Sequence, residues 1–248
     1  MPPQSSSEYD SAMKCCIAIF TLVSFFSEAK PFKQEIKELD VSFTMIPVKN
    51  GDETFWISRT EITWDLYDSF LQFINSPENL HAGVDAVTGP TPAYALVDRG
   101  YGRSGYPAIS MSAKAAESFV SWLSTKTGKK YSIPTLKQWN AANVEGGTSW
   151  HKKNADKKTH LVATSEPNEL GIYDMNGNVG EWVTTKDGAR VIGGSFRTSP
   201  EELGTKTLLT PISDWNKTDP QLPRSPWWLA DADFVGLRIV TNDGEKDE

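Results

Sequence analysis

Gly171-Ile172-Tyr173-Asp174-Met175-Asn176-Gly177-Asn178-Val179-Gly180-Glu181-Trp182 crowds two carboxylates, two amides and three glycines among large apolar side chains. Such a mixture reads as a tight loop. Two readings of it stand side by side. Asn176-Gly177 tolerates positive φ at both positions and suits the tip of a two-residue hairpin. Asp174 and Glu181 also flank the reversal, and with the carbonyls of Gly177 and Val179 turned inward they would make an all-oxygen cage for a hard cation such as Ca2+. The cadence lacks the ligand positions of an EF-hand loop, so spacing does not choose between the two.

Outward from the loop, further short stretches stand in order along the chain. Upstream lie Thr60-Glu61-Ile62-Thr63 and Ile133-Pro134-Thr135-Leu136-Lys137-Gln138-Trp139-Asn140-Ala141-Ala142; downstream lie Arg190-Val191-Ile192-Gly193-Gly194-Ser195-Phe196 and Phe234-Val235-Gly236-Leu237-Arg238. In this order, from about Phe43 to Val240, they resemble the landmarks of the formylglycine-generating enzyme family, the sulfatase-modifying factor domain. The loop itself resembles that family's G-L-Y-D-M-x-G-N-V-W-E-W, with Gly180 in place of a tryptophan. The resemblance implies an α+β class with a C-type-lectin-like fold, two main helices on irregular, mostly antiparallel sheets and little regular structure. It also implies a structural Ca2+ held by Asp174, Gly177, Val179 and Glu181. At Gly180 the departure from the family pattern is expected to loosen the loop without removing a ligand.

Activity is a separate matter from fold. In the family's copper-dependent members two cysteines follow the G-G-S strand, and the matching positions here are Thr198 and Leu203. Neither side chain can ligate Cu(I) or form a disulfide with a substrate, so neither copper nor formylglycine generation by that mechanism is expected. The chain's two cysteines, Cys15 and Cys16, lie in an apolar run near the N-terminus. Its three histidines, His81, His151 and His160, form no metal-binding spacing, and no Gly-x-Ser-x-Gly elbow occurs. Asp231 and Asp233 could do acid/base work but read more simply as a solvated turn.

A chain of 248 residues with 38% hydrophobic content and nine tryptophans suits one domain with a substantial core. Net charge is −7 with interspersed signs and no basic run, which gives nucleic acid no electrostatic footprint. Met13-Lys14, the apolar run to Phe26, and Ser27-Glu28-Ala29 read as a cleavable signal. The run is too short for a comfortable span, so residues 1–29 are expected to be removed, leaving a secreted or periplasmic domain over 30–241 and a disordered tail over 242–248.

Alternation from Val41 to Ile57 around Gly51-Asp52 predicts an opening hairpin. Thr63 precedes a helical face of Trp64, Tyr67, Phe70, Leu71 and Ile74, which stops near Asn75-Ser76-Pro77. Residues 78–108 read as an irregular loop. Ser112 caps a second helix with Ala116, Phe119, Val120 and Leu123 on its buried stripe and Gly128 as its stop, and Thr135 with Gln138 make a capping box for a third. Trp215, Trp227 and Trp228, with Arg224 nearby and Thr198 in the resemblance's cleft, offer aromatic faces beside hydrogen-bonding groups and suggest a ligand surface.

Three roles remain open from the sequence. The first is a non-catalytic binding or accessory module taking an extended peptide, a sulfatase or a glycan. The others are an enzyme of the same family with altered oxidase chemistry, and a structural component of a surface or secretion apparatus.

Overall fold

The computed structural model describes residues 29–74, 76 and 96–244. The expected signal up to Glu28, Asn75 and Pro77 of the expected helix stop, residues 78–95 of the expected loop, and 245–248 of the expected tail lie outside the described residues. Asp243 and Gly244 are tied back to the domain, accepting hydrogen bonds from the Lys130 amide and the Lys129 ammonium.

Strands β1 (Phe32–Ile36), β2 (Val41–Asn50), β3 (Glu53–Ser58), β9 (Val240–Thr241) and β4 (Tyr131–Ser132) form a five-stranded sheet in that order. Strands β7 (Gly204–Leu209), β6 (Gly188–Gly193), β5 (Gly180–Thr185) and β8 (Val235–Gly236) form a four-stranded second sheet. Neighbouring strands are antiparallel except β5 and β8, which run parallel. The expected hairpin is β2–β3, and Gly51 takes the positive φ of 67° that its turn requires. Strand β1 is an addition to the sequence reading. Only its ends, Phe32 and Ile36, are buried, so its alternation is too thin to read from the chain.

Register decides what each face buries. Ile46 pairs with Ile57 and Val48 with Phe55, so these four share one face and pack with Val183 and Ile192 of the second sheet and with Trp139. Met45 faces the other way, into the larger cluster built on helices α1 (Trp64–Ile74) and α2 (Ala113–Thr127). There Tyr67, Phe70, Phe119 and Trp122 meet with ring centroids 5.4–5.8 Å apart, in tilted or edge-on geometry. Each such ring stabilises the fold by about 1.5–3 kcal/mol through burial alone.

The helix ends are chemically specified. Ser112 Oγ accepts from the Ala115 amide at 3.2 Å to open α2, and Gly128 closes it in the left-handed conformation, φ 71°. Thr135 and Gln138 cap each other's backbone at the start of α3 (Leu136–Ala142). That cap delivers Trp139, fully buried, to the junction of the two sheets.

Candidate cation loop and ligand cleft

Residues 171–179 enter β5 as a succession of bends with no strand before them, so the loop is not the tip of a hairpin. Its backbone is held in left-handed conformations at Asp174 (φ 57°) and Asn178 (φ 53°), and Gly177 sits at φ 128°. A side chain at Gly177 would put its Cβ 2.4 Å from the Trp150 carbonyl oxygen, so only glycine fits. Asn178 anchors the bend from every polar atom it has. Its amide donates to Trp150 O at 2.7 Å and its carbonyl accepts from Phe196. Its side chain accepts from the His160 amide at 2.9 Å and donates to Glu61 Oε2 at 2.8 Å.

The two carboxylates of the expected cation set are buried, Asp174 to 2% and Glu181 to 1% exposure. Asp174 accepts from Ser165 Oγ at 2.6 Å and the Ala163 amide at 2.8 Å. Glu181 accepts from Trp139 Nε1 at 2.6 Å and Arg238 Nε at 2.8 Å. A carboxylate oxygen carries two lone pairs, so these bonds leave ligation open at both side chains. The carbonyls of Gly177 and Val179 accept no hydrogen bond among the described residues. All four groups are hard oxygen donors and suit a hard divalent cation. Among the described residues no three Asp, Glu, His or Cys side chains converge as a cage, so a cation here would lean on the backbone carbonyls.

Charge at this place is out of balance. Glu61 is buried beside the loop, accepting from the Val179 amide at 3.0 Å as well as from Asn178. Burial holds its carboxyl well above the usual carboxylate range, and the nearby charges of Asp174 and Glu181 push it further. Burial likewise raises Asp174 and Glu181, in the latter case against the pull of its ion pair with Arg238. Ionised, the three acids would face the single guanidinium of Arg238, leaving negative charge in excess.

Glu61 and Arg238 lie in landmark stretches of the sequence that by themselves assign them no role. Their roles emerge because four landmarks meet at one point: Glu61 from the first, Trp139 from the second, Asn178 and Glu181 from the loop, and Arg238 from the last. Arg238 also donates to the carbonyls of Ser58 and Tyr173, both at 2.7 Å, tying the first sheet to the loop. The fourth landmark supplies room. A Cβ at Gly193 would lie 2.9 Å from the Met175 carbonyl and 3.2 Å from the Trp139 ring.

The positions matching the family's thiols have structural occupants. Thr198 Oγ1 accepts from the Ser195 amide at 3.0 Å while the Thr198 amide donates back to Ser195 O, closing a tight turn. Leu203 lies over Gly194, where a Cβ would come within 2.7 Å of its Cδ2. Gly180, expected to loosen the loop, is buried and paired. Its amide donates to Phe234 O at 2.8 Å, and the volume beside it is taken by Val191, whose Cγ1 would stand 2.6 Å from an added Cβ.

The expected aromatic ligand surface is not assembled as one exposed face. Trp228 is fully buried against Trp64 and Tyr67 of α1, and Trp215 is buried between Trp182 of β5 and Phe234, so neither ring is free to form an exposed face. Trp227 is partly covered and has Lys114 over its ring, Arg224 is exposed, and Thr198 is half-buried. Asp233 is also buried and takes Arg197 at 2.6 Å and Tyr101 at 2.9 Å, so it is not part of a solvated turn. His160 stacks on Trp150 with centroids 3.8 Å apart and bonds Ala155 O. What does open beside the loop is a cavity of about 410 Å3 lined by His151, Asn154, Glu166, Asn176, Pro200 and Leu203 among others.

The family model described as a sulfatase-modifying factor enzyme 1-like domain matches residues 35–207. The chain belongs to that family. Two solved structures share its fold. Variable protein 1 of Treponema denticola is 16% identical over 86% of this chain and 99% of that one, with a TM-score of 0.60. PvdO from Pseudomonas aeruginosa is 18% identical over 86% of this chain and 98% of that one, with a TM-score of 0.54. No curated protein sequence matches this one. Within this sulfatase-modifying-factor-like domain no described helix is long and apolar enough to cross a membrane.

Proposed function

We propose that this sulfatase-modifying-factor-like domain is an exported, calcium-stabilised binding module that does not turn over its ligand. The observation that carries the reading is the state of the two thiol positions. Thr198 is committed to a hydrogen-bonded turn and Leu203 to packing on Gly194, which supports reading these two positions as scaffold. Beside it the cavity at Leu203 presents imidazole, amide and carboxylate groups with one apolar wall. Its lining holds no Phe, Tyr or Trp, which favours a peptide over a sugar ring. Ca2+ held by Asp174, Gly177, Val179 and Glu181 would offset the surplus of buried carboxylate and fix the rim of that cavity.

Co-expression with a cysteine-type sulfatase, followed by mass spectrometry of the sulfatase active-site peptide, tests the non-catalytic reading. Unmodified cysteine is expected, and formylglycine would defeat it. The cation is tested by thermal unfolding with Ca2+ and with chelator. A ligand bound only to the folded state at about 100 times its Kd adds about 2.7 kcal/mol, and that gain should vanish in Glu181→Ala. No calcium-dependent shift in the parent protein would sink the claim. Export is checked by N-terminal sequencing of protein released from cells, with a start near Lys30 expected.

A further inference from the structure

The second sheet and the start of α3 bound a groove of about 730 Å3. It is separate from the cavity at Leu203 and shares no lining residue with it. Three cations line it, Lys137, Lys186 and Arg190, against the single carboxylate of Asp187. None of the three cations is ion-paired among the described residues, although the chain as a whole carries a net charge of −7. Unpaired cations gathered in a concavity of an acidic protein raise the local concentration of anionic partners.

Two further features narrow the partner. Leu136 and Leu208 give the groove apolar contacts, and Leu208 is 43% exposed. Leu208 belongs to β7, which among the described residues is the terminal strand of its sheet and has a neighbour, β6, on one side only. A free edge offers a row of backbone donors and acceptors to another extended chain. The chain beyond it keeps Leu209 and Ile212 at the surface, 36% and 57% exposed. No aromatic ring lines the groove, so it lacks the platform a sugar ring would stack on.

We propose that this groove and the edge of β7 form a docking site for an extended acidic peptide of a partner protein. The peptide adds as a strand to β7, places apolar side chains against Leu136 and Leu208, and sets carboxylates among Lys137, Lys186 and Arg190. The site is independent of the cavity beside the cation loop.

Fluorescence anisotropy with a labelled, acetylated peptide of alternating Glu and Leu tests this on the purified domain. Binding is expected, weakening as salt is raised. The same peptide with Lys for Glu should not bind, and one with Pro at alternate positions, unable to add as a strand, should bind far less. Charge reversal at Lys137→Glu, Lys186→Glu and Arg190→Glu together should lower affinity about tenfold, the sum of three exposed pairs. Leu208→Ser, which leaves the charges in place, should also weaken binding, and unchanged thermal unfolding of both variants ensures that folding is not what is read. Equal affinity of the charge-reversed variant, or tighter binding of polygalacturonate than of the Glu-Leu peptide, would overturn the proposal.

Discussion

Replacing Arg238 with methionine removes the guanidinium that, among the described residues, faces Glu61, Asp174 and Glu181, and leaves an unbranched apolar side chain in its place. Arg238 is fully buried and spends its three guanidinium nitrogens on three different acceptors: Glu181 Oε1 at 2.8 Å, and the carbonyls of Ser58 and Tyr173 at 2.7 Å each. Breaking a buried ion pair by removing one partner costs about 3–5 kcal/mol, because the remaining charge is left uncompensated. The two carbonyls add about 1–3 kcal/mol each if nothing replaces their donor. A domain whose whole stability is about 5–15 kcal/mol would be brought close to unfolding.

Urea denaturation followed by tryptophan emission measures this, since Trp64, Trp139, Trp182 and Trp228 are fully buried. Arg238→Lys keeps the charge but cannot reach three acceptors at once, so it should fall between the parent and Arg238→Met. Glu181→Gln in the Arg238→Met background should recover part of the loss, and a coupling of about 0.5–3 kcal/mol is expected from that cycle. A loss below about 1 kcal/mol for Arg238→Met, with no coupling to Glu181, would refute the view that this network holds the loop.

Three smaller perturbations separate local from tertiary effects. Thr198→Val leaves the buried Ser195 amide without its side-chain acceptor and should lower stability by about 1–2 kcal/mol in denaturant titration. Gly180→Ala should cost about 1–3 kcal/mol by overpacking against Val191, and Val191→Ala in the same chain should recover part of it, whereas additive losses would contradict the geometry. Thr135→Ala removes one half of the α3 cap and should cost about 1 kcal/mol in thermal unfolding, with Thr135→Ser close to neutral.

What the chain determined by itself is local chemistry. Ser112, Gly128, Thr135 and Gln138 act within one helical turn of where they stand, so their caps and stops could be read residue by residue. The β2–β3 hairpin is equally legible, because a glycine turn and the alternation beside it fix the register. So is the absence of sulfur at Thr198 and Leu203, which no surroundings can change.

Burial and charge balance belong to the tertiary structure. Glu61 stands 117 residues from Asn178, and Glu181 stands 57 from Arg238, and no periodicity links positions so far apart. Each reads alone as an ordinary surface acid or base, and becomes a buried, mutually dependent set only when the two sheets close on Trp139. The same cause explains the tryptophans. An aromatic ring near a carboxylate looks like a binding face until other segments pack over it, as they do over Trp215 and Trp228. Gly180 in the sequence reads as a missing side chain, whereas in the fold Val191 from the neighbouring strand fills that space. Residue type is carried by the sequence, whereas solvent exposure is a property of what the rest of the fold lays on top.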